Sequence, residues 1–213
     1  MIYIFKGLVI LLSLYAMAKF GSIWINNLYL NNQEILSYPE KIYKYFGKYK
    51  YFRQLVIFVA LCIGFLMLPD MNEELMYIKM VLIYFLILTV CTDFEQEIIF
   101  DLVLIPLAIF SILFTYVTSA LLSQHLIAAF AGGGLFLLLA IFTGAIGGGD
   151  IKLIAVIGLM LGIENLIDVI LIGAVTGGVV ALVLLISGKK QKKDFFAYGL
   201  YFACAAIFKI IFG

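Results

Sequence analysis

Apolar runs long enough to cross a bilayer follow one another along this 213-residue chain with little between them. From Leu102 to Ile186 only Asp150, Lys152, Glu164 and Asp168 carry a formal charge. Such runs leave no polar face for water, so an ordinary soluble domain is excluded. The composition agrees: 65% of residues are hydrophobic and 13% charged, against about 45–50% and about 25% in soluble domains. One crossing takes about 20 residues. Apolar runs near residues 2–25, 54–69, 75–92, 102–121, 125–146, 151–163, 166–187 and 195–212 therefore read as about eight transmembrane helices. No run alternates polar and apolar residues, as a membrane barrel requires. The expected fold is all-α and polytopic, with residues 1–213 forming a single membrane-embedded domain.

The first run is read as a span rather than a cleaved signal. Ala16-Met17-Ala18 has the small-x-small form, but Met1 to Phe5 carry no lysine or arginine and apolar character continues through Trp24. Lysine and arginine placement sets the topology. The 27–53 loop carries Lys41, Lys44, Lys48, Lys50 and Arg53, and the loop before the last span carries Lys189, Lys190, Lys192 and Lys193. An even number of crossings separates them, so both fall on one side, the cytoplasmic one. That parity also puts the connections at Asp93 and Asp150 on the cytoplasmic side. The net charge of +1 gives a nucleic-acid partner no support; the lipid bilayer is the expected partner. Cys62, Cys91 and Cys204 lie far apart in apolar runs, and zinc needs clustered ligands, so no metal is expected.

A carboxylate at the edge of an apolar run is costly and marks a functional site. Most acids have simpler explanations. Asp70, Glu73, Glu74 and Glu164 fall in outward loops, Glu34 and Glu40 lie among the lysines of the first loop, and Asp168 and Asp194 suit helix N-termini. Asp93 and Asp150 differ. Asp93 closes the run ending Leu88-Thr89-Val90-Cys91-Thr92, and Asp150 follows Gly147-Gly148-Gly149. Three glycines let the backbone unwind before the acid and leave room for an extended strand. Asp150 as a plain helix cap is the competing reading. Two acids brought together at a membrane surface would share a proton and form a pair able to hydrolyse a peptide bond. Asp101, at the start of the fourth span, is the rival first acid. Gly158-x-x-x-Gly162, Gly173-x-x-x-Gly177 and Gly132-Gly133-Gly134 read as close-packing contacts, and His125 as an interfacial residue without a role.

Gly147-Gly148-Gly149-Asp150 has the Gly-x-Gly-Asp form, and with its neighbouring spans it resembles the Gly-x-Gly-Asp intramembrane aspartyl proteases. Within that group the chain resembles the type IV prepilin peptidases. Thr92 to Asp101 is similar to their first catalytic segment, and Asp150-Ile151-Lys152-Leu153 to the Gly-Asp-x-Lys-Leu continuation of their second. Ala197 to Ala203 resembles their Pro-Phe-Gly-Pro stretch, and Gly21-Ser22-Ile23-Trp24-Ile25-Asn26 their Gly-Ser-Phe-x-x-Asn. Phe100, Ala197 and Leu200 stand at family proline positions. The 27–53 loop is short, basic and cysteine-free, in place of the zinc-binding element tied to N-methyltransferase activity.

The resemblance implies an aspartyl endopeptidase of the plasma membrane, its active site facing the cytoplasm. It would remove the short basic leader of a prepilin or pseudopilin. Asp93 and Asp150 would be catalytic, with Gly147, Gly148, Gly149, Lys152, Glu95, Glu97 and Asp101 shaping the site or meeting substrate. Hydrolysis would need no cofactor; S-adenosylmethionine enters only if methyl transfer is retained. Two other readings stay open: a transporter or channel with acids at broken helices, and an inactive homologue serving pilus assembly.

Overall fold

The computed structural model describes residues 2–41, 48–68, 72–144, 146–188 and 198–213. Lys44, Asp70, Lys189, Lys190, Lys192, Lys193, Asp194 and Ala197 lie outside the described residues, as do the side chains of Lys41, Lys48 and Lys50. Among the described residues there are seven α-helices and no strand. They are α1 (Ile2–Asn31), α2 (Lys48–Met67), α3 (Glu73–Gln96), α4 (Asp101–Val117), α5 (Leu122–Thr143), α6 (Gly148–Ile186) and α7 (Gly199–Phe212). By length and composition α1, α3, α5 and α6 can cross a membrane, and α2, α4 and α7 are shorter apolar helices. The chain divides into two compact units, Met1–Asp70 and Met71–Gly213.

In the first unit α1 packs on α2. Arg53 was counted above as a loop charge, but it sits in α2 and is 3% exposed. Its guanidinium donates to Ser22 Oγ at 3.3 Å, to the Ser22 carbonyl at 3.0 Å and to Asn26 Oδ1. It also lies 5.8 Å from the Tyr29 ring centroid. A buried guanidinium must satisfy its donors internally, and the polar pair Ser22 and Asn26 on α1 does this.

In the second unit α3 is the inner helix. Some 56% of its most apolar window is buried, against 22% in α5 and 17% in α6, which leave most of their apolar surface for lipid. Helix α3 packs on α4 and α7, and α6 packs on α4, α5 and α7. The glycine pairs make these contacts close. A Cβ on Gly158 would meet the Ala128 carbonyl oxygen at 2.7 Å, and one on Gly132 would meet Ile154 Cγ2 at 3.1 Å. Gly173 lies under Phe202 and Gly177 under Tyr198. The stripe on the second half of α6 therefore sets how closely the start of α7 can approach.

Helix α6 breaks at Gly162, where φ is 74° and ψ is 179°, a region open essentially to glycine alone. The sequence suggested two spans ending at 163 and resuming at 166. Here helix resumes directly after the glycine, because one such residue redirects the chain without a loop. Gly162 is thus a conformational requirement, not only a small packing residue. The break frees the Leu159 carbonyl, which takes bonds from His125 Nδ1 at 2.9 Å and Thr115 Oγ1 at 3.4 Å. Since a carbonyl only accepts, His125 carries its hydrogen on Nδ1 in this contact. Gly162→Ala should cost about 1–3 kcal/mol, read as earlier thermal unfolding of the solubilised protein. An unchanged transition would contradict the strain assigned to this position.

Candidate active site

Asp93 occupies the last turn of α3. Its carbonyl accepts the Glu97 N–H at 2.9 Å, and Glu97 ends the helix in the left-handed conformation, φ 55° and ψ 37°. An acid in the last turn of a helix opposes the dipole, and Asp93 is only 3% exposed. Both penalties are offset from outside α3. Asp93 Oδ2 accepts the backbone N–H of Leu200 at 2.6 Å, from the first turn of α7.

Asp150 lies in the first turn of α6, where Gly147 is the N-cap. The N–H groups of Asp150 and Ile151 reach the Gly147 carbonyl at 3.1 and 3.3 Å. The Gly147 N–H in turn faces the Asp150 carboxylate, which is the N3-to-N-cap half of a capping box, glycine having no side chain to supply the other half. Capping accounts for only part of its surroundings. Asp150 is 8% exposed, and the backbone N–H of Gly199 also faces its carboxylate.

The first two residues of α7 therefore serve both acids: Leu200 donates to Asp93 and Gly199 to Asp150. A helix N-terminus carries free N–H groups and partial positive charge, which favours carboxylates. The approach is close. A Cβ on Gly199 would lie 2.9 Å from Asp150 Oδ1 and 3.1 Å from Asp93 Oδ2. The two oxygens are thus no farther apart than the sum of those distances. Ile99, in the segment after α3, fills the other side, in contact with both Gly199 and Gly149.

The remaining expected site residues divide by position. Gly147 and Gly148 are exposed, Gly149 is half-buried against Ile99, and Gly148 has open space where a side chain would stand. Glu95 and Glu97 are half-buried just beyond Asp93. Asp101 and Lys152 pair with each other: Lys152 Nζ donates to both Asp101 oxygens at 2.8 Å. Their side chains are 60% and 57% exposed. The pair joins the first turns of α4 and α6, and gives Asp101 a partner other than Asp150. Exposed pairs contribute little, so Lys152→Met should lower stability by no more than about 1 kcal/mol; a larger loss in a denaturation experiment would assign the pair a deeper role.

Sequence reasoning missed the contribution of α7. Backbone N–H groups leave no trace in side-chain identity. The available signal was Gly199, the glycine of the stretch set beside Pro-Phe-Gly-Pro.

The arrangement defines a class: an all-helical protein with apolar helices of membrane-spanning length and two buried carboxylates gathered at one helix N-terminus. Residues 80–182, the segment that carries both acids, match the Type IV leader peptidase family. That family is one of peptidases, and four helices of this chain are long and apolar enough to cross a membrane. Gly199 lies beyond the matched residues. No curated protein and no solved structure matches the chain.

Proposed function

We propose that the protein is an aspartyl endopeptidase that removes the leader of a prepilin or pseudopilin at the cytoplasmic membrane face. The observation that carries this reading is the convergence of Asp93 and Asp150 on the Gly199 and Leu200 N–H groups. Two carboxylates this close do not both ionise readily, so the pair holds one proton between them. The ionised member takes a proton from water. The protonated member donates to the oxygen of the scissile carbonyl as the water oxygen bonds to its carbon. Collapse of the tetrahedral intermediate breaks the C–N bond, the amine leaves with a proton, and the new C-terminus leaves as a carboxylate. Because the two titrations are coupled, base and acid are roles of the pair rather than of one residue.

The α7 N–H groups hold the carboxylates in place before substrate arrives, so little reorganisation is needed during reaction. The open backbone at Gly147 and Gly148 leaves a path for an extended strand. Glu95 and Glu97 would attract a basic leader. The lysines of residues 189–193, which precede α7 in the sequence, favour the cytoplasmic side for the end of the second unit that carries the acids. The apolar part of the substrate would stay in the bilayer.

Purified protein in liposomes, mixed with a prepilin-like substrate, should release a shortened product seen as a gel shift. Intact substrate after prolonged incubation with folded protein would count against the proposal.

A further inference from the structure

One buried charged residue of α3 has no part in the chemistry above. Lys79 lies in the second turn of the helix and is 9% exposed. A cation inside a helix of membrane-spanning length is costly and must be satisfied within the protein. Its Nζ donates to the carbonyl of Ile210 at 2.9 Å, in the last turn of α7. That end of α7 also carries Lys209, whose Nζ lies 2.6 Å from Asp168 Oδ2 of α6.

Helices α3 and α7 are antiparallel, so α3 meets both ends of α7. Near its C-terminus α3 offers Asp93 to the Leu200 N–H, and near its N-terminus it offers Lys79 to the Ile210 carbonyl. Each end of α7 thus receives the charge opposite to its own partial charge. Lys79 and Asp93 are about 21 Å apart along α3, and Leu200 and Ile210 about 15 Å apart along α7, at 1.5 Å per residue. The lysine stem covers the difference. Because both contacts come from one helix, they fix the height of α7 along α3. A slip of α7 by one residue directly away from Asp93, about 1.5 Å, would stretch the 2.6 Å contact of the Leu200 N–H beyond hydrogen-bonding reach.

We propose that Lys79 is a positioning residue for the carboxylate pair: by holding Ile210 it sets the height of α7 along α3, and so keeps the Gly199 and Leu200 N–H groups on Asp150 and Asp93. The kinetic consequence rests on the peptidase reading; the positional one does not.

The test is Lys79→Met, with Lys79→Arg as the conservative variant, in the full chain in detergent or nanodiscs. Amide hydrogen exchange is followed over α7. A positioning role predicts exchange about tenfold faster at both ends of α7, including Gly199 and Leu200, with α3 unchanged. It also predicts kcat lower by about tenfold with KM within about twofold, and substantial recovery of both in Lys79→Arg. Faster exchange confined to the turn around Ile210, with normal kcat, would reduce Lys79 to a local cap and overturn the proposal. If the unsubstituted protein cleaves nothing, the peptidase reading fails, and the exchange pattern alone decides the positioning role. Should Lys79→Met fail to insert, Lys79→Gln carries the same comparison, because its shorter neutral stem falls short of the Ile210 carbonyl while staying polar.

Discussion

Asp93→Asn and Asp150→Asn should each lower the rate of leader cleavage by roughly 10³-fold or more, because each removes one of the two proton-transfer roles. The double variant should be no slower than either single one, since neither acid works without the other and residues acting as a unit are non-additive. Asparagine has nearly the shape of aspartate and keeps an oxygen to accept from Leu200 or Gly199. It also removes one of two neighbouring buried carboxyl groups that disfavour each other's ionisation. Folding should therefore survive, with thermal stability equal to or above that of the parent. Kinetics on purified singles and the double, with unfolding of each, read both effects. A single variant that retains activity, or losses that multiply in the double variant, would break the pair into independent residues.

Gly199→Ala should lower cleavage by about 10²-fold, the scale expected when reacting groups are misplaced by about 1 Å. The added methyl would lie 2.9 Å from Asp150 Oδ1 and 3.1 Å from Asp93 Oδ2, so at least one carboxylate has to move off its N–H donor. It would also meet Ile99 Cδ1, which confounds lost activity with lost packing. Pairing the change with Ile99→Ala separates the two. Removing the isoleucine stem makes room on that side and should recover stability, while the methyl still stands against both acids and activity stays low. Recovery of cleavage in the double variant would mean that Gly199 matters only for packing.

Much of this was legible in the sequence because membrane burial imposes a simple code. Apolar runs marked the helices, and acids at their edges marked the site. Asp93 and Asp150 stood out as a pair, although Asp150 taken alone also read as a plain helix cap. Even the glycine at the α6 break fell where one span was expected to give way to the next. Its dihedral angles were not legible, since nothing in Gly158-x-x-x-Gly162 separates a packing glycine from one at positive φ.

What stayed hidden depended on partners distant in sequence. Arg53 read as one more loop charge until α1 placed Ser22 and Asn26 around it. Lys152 read as a site-shaping or substrate contact until α4 brought Asp101 to it. Lys79 drew no reading in its apolar run, and its acceptor is a main-chain carbonyl 131 residues away. The N–H donors of α7 belong to the same group: they depend on where a helix starts and on what lies beside it.

Cross-linking across the two acids tests the central claim most directly. Asp93→Cys and Asp150→Cys would be combined in a chain whose Cys62, Cys91 and Cys204 are replaced by serine, with a protease site inserted in the connection between α4 and α5. Treatment in native membranes with a short thiol-to-thiol reagent, followed by proteolysis, should leave the two fragments joined. Fragments that separate as fully as those of either single-cysteine control would mean that the two positions do not meet, and the pair would have no reaction to perform.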